Sequence, residues 1–403
     1  MRFVLLATLL LLPALPACSD DSGPTQPNTT LTEGPLLSIS QVPASTRWMG
    51  VTRNILGRRE VGGPNATART FALVAVAQYN AAVAAGLATT VSAAGRPSEA
   101  AAVSAASAAV LAALYPVEQD TITAHVTADR TYFPTFASQQ RYDVAAGEAI
   151  GRTIAATVLA RAASDATTLV WTGTIPSGAG YWVNTAPVPP FLPRWGEARP
   201  WLMTSGSQFR SAVPPAFGSS EFQAALAEVK AVTLARTADQ LTIAQFWQGA
   251  SGPGGPMGYF TGLASGYTAD GQFNERRTAR VYAMLHMAMM DASIGCWDAK
   301  YLYWYVRPHQ VDPTITTPVG RPNFPSYPSA HSCVSSAAAA VLGGLFPAQA
   351  ASLNARVAEA GVARIYAGLH FRFDITAGQD LGGRVGALAL TKVPAADTSI
   401  PLQ

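Results

Sequence analysis

From about Asn274 to Val306 the chain carries one very long helical pattern, TARVYAMLHMAMMDASIGCWDAKYLYWYV at its centre, and no other segment constrains the fold as strongly. Apolar residues recur there at spacings of three and four. The pattern is expected to stop at Arg307-Pro308, because proline disfavours helical backbone in the residue before it. The same periodicity marks RTFALVAVAQYNAAVAAGLA, AAAVSAASAAVLAALYP and QRYDVAAGEAIGRTIAATVLARAASD in the first half, and EFQAALAEVKAVTLA and TADQLTIAQFWQGA further on. From about Thr167 to Ser219 the breakers in VPPFLPRWGEARP and VPPAFG interrupt it, and the glycine-rich SGPGGPMGYF interrupts it again. With no sustained strand alternation and no internal repeat, the expectation is an all-α fold, a helical bundle.

Composition narrows the function classes. A chain of 403 residues with 13% charged and 49% hydrophobic residues has the makings of a large buried core, not of a disordered or nucleic-acid-wrapping chain. A net charge of +3 gives no general polyanion signal, so nucleic acid is not an expected partner. Met1-Arg2 followed by FVLLATLLLLPALPA is a short apolar core behind one positive charge, as in a secretory signal. It ends in LPAC, which resembles a bacterial lipobox with Cys18 as the lipidation site, although Pro16 is unusual there. The expected organisation is a lipoprotein-type signal over 1–17, a polar Pro-rich tether over 18–45, an N-terminal helical part over 46–270 and a C-terminal helical part over 271–403. The mature protein is therefore expected outside the cytoplasm, touching a membrane only through a lipid anchor, since no later run is long and uniformly apolar enough to span a bilayer. Cys296 and Cys333 remain; a disulfide is allowed in an oxidising compartment, but their apolar helical contexts favour buried free thiols.

Three clusters in the last third carry candidate chemistry. Lys300 and Arg307 lie seven residues apart on the same helical pattern, and seven steps of ~100° return to nearly the same face. By themselves they read equally as snorkelling side chains on a surface helix. In FPSYPSAHS, residues 324–332, Pro328 and Ser329 read as a helix start, where unpaired amides and the macrodipole favour an anion beside His331. In ARIYAGLHFRFDITAGQDLG, Arg364 and His370 flank Gly368, a plausible helix terminator, so both can reach one point from different elements. Asp374, four residues after His370, either orients that imidazole or caps the next helix. Together the clusters supply a lysine, two arginines, a serine, helix-start amides and two histidines, a set suited to a tetrahedral oxyanion.

Lys300-x6-Arg307-Pro308, Pro328-Ser329-Ala330-His331 and Arg364-x5-His370-x3-Asp374 resemble, in order and spacing, the three-part signature of vanadium-dependent haloperoxidases within the type 2 phosphatidic acid phosphatase superfamily. DASIGCWDAK, the aromatic run before Arg307, FPSYPSAH and HFRFD look like the chloroperoxidase branch. The resemblance is closest over about 278–390. It implies a helical bundle of the haloperoxidase and acid phosphatase type and vanadate as cofactor. Lys300, Arg307 and Arg364 would clamp its oxygens, with Ser329 and the Ala330 amide adding hydrogen bonds. His370 would be the single ligand to the metal, Asp374 would hold its ring, and His331 would be the acid–base. Trp297 and Phe324 would flank a halide pocket. Hydrogen peroxide, a halide and a small organic acceptor are the implied substrates, the metal acting as a Lewis acid.

Two residues depart from that signature. Ala330 stands where the signature has glycine and adds a methyl group near the oxyanion, and Ala363 stands where it has serine. In addition, WQGASG, residues 247–252, supplies no carboxylate to support His331. The same residues would serve a soluble exported acid phosphatase of this superfamily, His370 forming a phosphohistidine and His331 protonating the leaving group. A third alternative is a non-catalytic, surface-tethered binder of phosphate or of a partner. The helices before residue 165 are equally suited to packing within one subunit or in a homo-oligomer.

Overall fold

A computed structural model describes residues 42–59, 63–89, 92–136, 142–250, 255–393 and 398–402. The expected leader, its Cys18 and most of the tether lie outside these residues. Thirteen α-helices run through the described chain: α1 Ala44–Arg59, α2 Gly63–Gly86, α3 Glu99–Leu114, α4 Gln119–Phe136, α5 Val144–Ala163, α6 Ser220–Leu234, α7 Ala238–Gln245, α8 Gly255–Asp270, α9 Glu275–Tyr303, α10 Pro308–Val311, α11 Ala330–Leu345, α12 Ala350–Tyr366 and α13 Arg372–Lys392. Extended structure among the described residues is slight: a two-residue parallel pair, Arg96–Pro97 with Tyr142–Asp143, and two isolated bridges. The all-α expectation holds. Both expected helical parts belong to one unit that runs from Ser38 to Gln403.

α9 is the central strut. Asn274 caps its start by accepting from the Arg277 amide at 3.0 Å, and nearly every residue from Thr278 to Lys300 is buried. α2, α11 and α13 pack along it. Alanine and glycine let these helices come close: a Cβ on Gly378, Gly382 or Gly386 of α13 would stand 2.6, 2.1 or 2.7 Å from a backbone carbonyl, that of Ser329, Cys333 or Ala337 respectively. That stripe seats α13 directly against the start of α11.

One expectation is corrected. α9 ends at Tyr303, and Trp304 takes the left-handed conformation with φ 48°, so Arg307 is not on the helix and shares no helical face with Lys300. Tertiary pairing outcompetes helical propensity here: Trp182 N–H donates to the Trp304 carbonyl at 2.7 Å, Val306 N–H to Gly180 at 2.9 Å, and Ser326 N–H to Tyr305 at 2.9 Å. The irregular 167–219 section thus pins residues 304–306 on one side while the FPSYPSAHS loop pins them on the other. SGPGGPMGYF is also no simple break, since α8 starts within it and buries Met257 and Phe260. Cys296 and Cys333 are buried free thiols.

Candidate active site

Three local devices bring the expected clusters together. Ser329 caps α11, its hydroxyl taking the Ser332 amide at 3.5 Å. As first-turn residues, Ala330 and His331 have amides that no intrahelical carbonyl can reach. Gly368 ends the α12 segment in the left-handed region at φ 69°, where a Cβ would also meet the Thr316 carbonyl at 2.6 Å. The turn returns the chain so that Leu369 N–H donates to the Arg364 carbonyl at 3.1 Å and His370 follows beside it. Asp374 serves both roles open in the sequence: its Oδ2 accepts from His370 Nδ1 at 2.8 Å and from the Phe371 amide at 3.1 Å at the start of α13. Ser326 also donates to it, at 2.5 Å.

The three cations differ in what they have left to give. Lys300 is fully buried, and its Nζ donates to the carbonyls of Pro325, Ser326 and Pro328. An ammonium has three protons, so all are committed, and Lys300 straps the 325–328 loop while lending the site its charge. Arg307 donates from Nε to Phe324, from Nη1 to Leu369 at 2.9 Å and from Nη2 to Pro325 at 3.3 Å. Arg364, 1% exposed, donates from Nη2 to Gln248 Oε1 at 3.0 Å, and its Nε and Nη1 have no partner among the described residues. Burial pushes Lys300 down to about 8, Arg307 to about 10 and Arg364 to about 9, and mutual repulsion adds to the last.

Both histidines are held neutral. Burial first, then Arg307, Lys300 and Arg364, keeps His370 well below the ordinary imidazole value. With Nδ1–H donated to Asp374, its Nε2 keeps a lone pair, 3.5 Å from Arg307 Nη1. Burial raises Asp374 to about 6, offset by Ser326 and Lys300, so at neutral pH the carboxyl is ionised and anchors the ring. Burial and Arg364 hold His331 well below its ordinary value. Its Nε2 pairs with the Trp247 carbonyl at 2.7 Å, so that nitrogen carries the proton and Nδ1 is the basic atom.

Arg364, His331, His370, Ala330 and Phe324 line one cavity of ≈580 Å³. Leu56, Pro64 and Met257 give it an apolar wall. Of the expected halide pair, Phe324 is on the wall; Trp297 is buried against it, ring centres 5.0 Å apart, and is not among the lining residues. Ser329 is buried at the head of α11, and the Ala330 methyl-bearing residue faces the cavity. Sequence reasoning missed Ser326, Gln248 and the Trp247 carbonyl. The last lies in WQGASG, the segment that carries no carboxylate, and a backbone oxygen leaves no signature in residue identity.

Residues 281–397 match the family model described as the PAP2 superfamily. The fold is similar to a structure described as the first bacterial vanadium-dependent iodoperoxidase, 22% identical, covering 88% of this chain and 97% of that one with a TM-score of 0.72. A holo bacterial vanadium-dependent chloroperoxidase is 14% identical over 82% of this chain and 92% of its own, with a TM-score of 0.64. An apo form matches at 14% identity, 81% and 92% coverage and a TM-score of 0.66. Among curated proteins none matches. The chain therefore has the helical fold seen in these vanadium-dependent peroxidases.

Proposed function

We propose that the protein is a vanadate-dependent haloperoxidase that uses hydrogen peroxide to oxidise a halide to a hypohalous species, with a small organic molecule as final acceptor. The observation that carries the reading is the pair of donors on buried Arg364 that have no partner among the described residues, beside the Nε2 lone pair of His370 in a net positive cavity. Each such donor costs about 1–3 kcal/mol when left unpaired. A tetrahedral oxyanion that also accepts one nitrogen ligand fits this set.

Arg364 Nε and Nη1, Ser329 Oγ and the Ala330 amide would hold the oxygens of vanadate, with His370 Nε2 on the metal. Bound vanadate supplies Lewis-acid polarisation of the peroxide bond without a change in its oxidation state. Lys300 and Arg307 contribute charge at low dielectric, where it is screened least. His331 Nδ1, neutral and unprotonated, would accept a proton from incoming peroxide and pass it to the hydroxyl group that leaves as water. Phe324 forms one wall for the halide, with Trp297 fixing its ring from behind.

The same cluster supports a second reading, phosphoester hydrolysis with His370 Nε2 attacking phosphorus. That route uses His331 as the acid that protonates the leaving group, whereas the peroxide route uses it first as a base. The test is to load purified protein with vanadate and assay peroxide-dependent halogenation of a diketone beside hydrolysis of an aryl phosphate. Hydrolysis that needs no peroxide and is inhibited by vanadate, without halogenation, refutes the first reading. We also propose export and lipid anchoring at Cys18, checked by labelled-palmitate incorporation that Cys18→Ser abolishes.

A further inference from the structure

The turn that follows α7 delivers two groups to the site from one place. Residues Phe246–Ala250 continue the chain from α7 through a kink at Gly249, where the backbone leaves helical geometry. The Trp247 carbonyl meets His331, and the next side chain, Gln248, meets Arg364. We infer that Gln248 is a positioning residue of the oxyanion site: it holds the Arg364 guanidinium so that Nε and Nη1 stay directed at the anion. The inference rests on the oxyanion-binding part of the reading above and does not depend on halide oxidation.

Arg364 needs such a hold. The Gln248 amide oxygen is the partner its guanidinium has among the described residues. Burial first, and then the nearby charge of Arg307, disfavour its protonated form. An unrestrained guanidinium has rotamers to lose when it binds and a repulsive field driving it off the productive one. A neutral amide oxygen restrains it without cancelling its charge. A carboxylate at 248 would bind the guanidinium more strongly but remove the net charge that an anion uses.

Gln248 is itself placed on firm backbone. Trp247 is fully buried, its indole donates to Glu359 Oε1 at 2.9 Å, and Phe246 and Tyr259 pack edge-on against it at 5.4 and 5.2 Å. The Gln248 side chain is exposed at the cavity wall. Its replacement therefore leaves the core untouched, and the turn remains held by Trp247.

The experiment compares the parent with Gln248→Met, which keeps length and removes the acceptor, and Gln248→Glu, which keeps the acceptor and adds charge. Binding of inorganic phosphate and of orthovanadate is measured by calorimetry, and melting temperature is followed alongside. Gln248→Met should bind both anions about 2- to 10-fold more weakly, the worth of one immobilised rotamer-rich side chain, at an unchanged melting temperature. Gln248→Glu should be weaker still. Parent-like affinity in Gln248→Met, or tighter binding in Gln248→Glu, overturns the inference while leaving the proposed function standing. If the parent binds neither anion, both fall together.

Discussion

Replacing Arg364 with methionine should weaken anion binding severely and yet leave the anion-free protein at least as stable. The structure sets the two magnitudes. Arg364 is 1% exposed, with Nε and Nη1 unpaired among the described residues, so its removal relieves two orphan donors at about 1–3 kcal/mol each. Against this stands the loss of one charge-assisted bond to Gln248, about 1.5–3 kcal/mol, so the balance runs from about zero to a gain of a few kcal/mol. Methionine keeps most of the volume, and replacing buried charge by well-packed apolar groups is often neutral or stabilising. In the complex the same two donors would make charge-assisted bonds of about 1.5–3 kcal/mol each, so affinity should fall by about a hundredfold or more. Denaturant unfolding without anion and calorimetric titration with orthovanadate measure the two effects. A variant destabilised by more than about 2 kcal/mol that still binds vanadate like the parent would show that Arg364 is a structural residue.

Lys300→Met should behave oppositely: three buried carbonyls lose their shared donor, and a loss of about 3–5 kcal/mol is expected in denaturant unfolding. Asp374→Asn keeps the shape but removes the charge that fixes His370, and peroxide-dependent turnover of the vanadate-loaded protein should fall about 10- to 100-fold. The pH profile follows from Asp374, which is ionised above about 6 and protonated below it; turnover should drop as pH falls through that value, and Asp374→Asn should lack the step. Ala330→Gly removes a methyl group from the cavity wall at a helix-start position and should raise vanadate affinity while costing under about 1 kcal/mol of stability.

The parts of the site that were legible in the sequence are those fixed by local geometry. Ser329 as a cap, Gly368 as a terminator and Asp374 four residues after His370 each follow from the backbone rules of a helix end, and the structure realises all three. The long central pattern was legible for the same reason, because α9 is buried on nearly every side and its apolar residues show it. What failed was inference across the helix end. Lys300 and Arg307 reach one site, but the seven-residue spacing is not the cause: Trp304 leaves the helix because the Gly180–Trp182 strap and the Ser326 amide compete for the backbone there. α8 was obscured because glycines lower helix propensity by only about 1 kcal/mol each, less than burying Met257 and Phe260 returns.

The remaining wall, from Trp247 to Gln248, is tertiary in origin. Neither residue type announces a role in an oxyanion site, and one of the two acts through a carbonyl that every residue possesses. Their placement also bears on the proposed role of His331, which has no carboxylate beside it in residues 247–250. A carboxylate there would raise the imidazole toward protonation and offset part of the cationic field; the Trp247 carbonyl fixes the tautomer and leaves both the field and the neutral base intact. An anionic cofactor would then restore what the anion-free site lacks, since its negative charge raises His331 at the moment proton transfer requires it. Binding of the oxyanion and activation of the acid–base group are, on this arrangement, one electrostatic event.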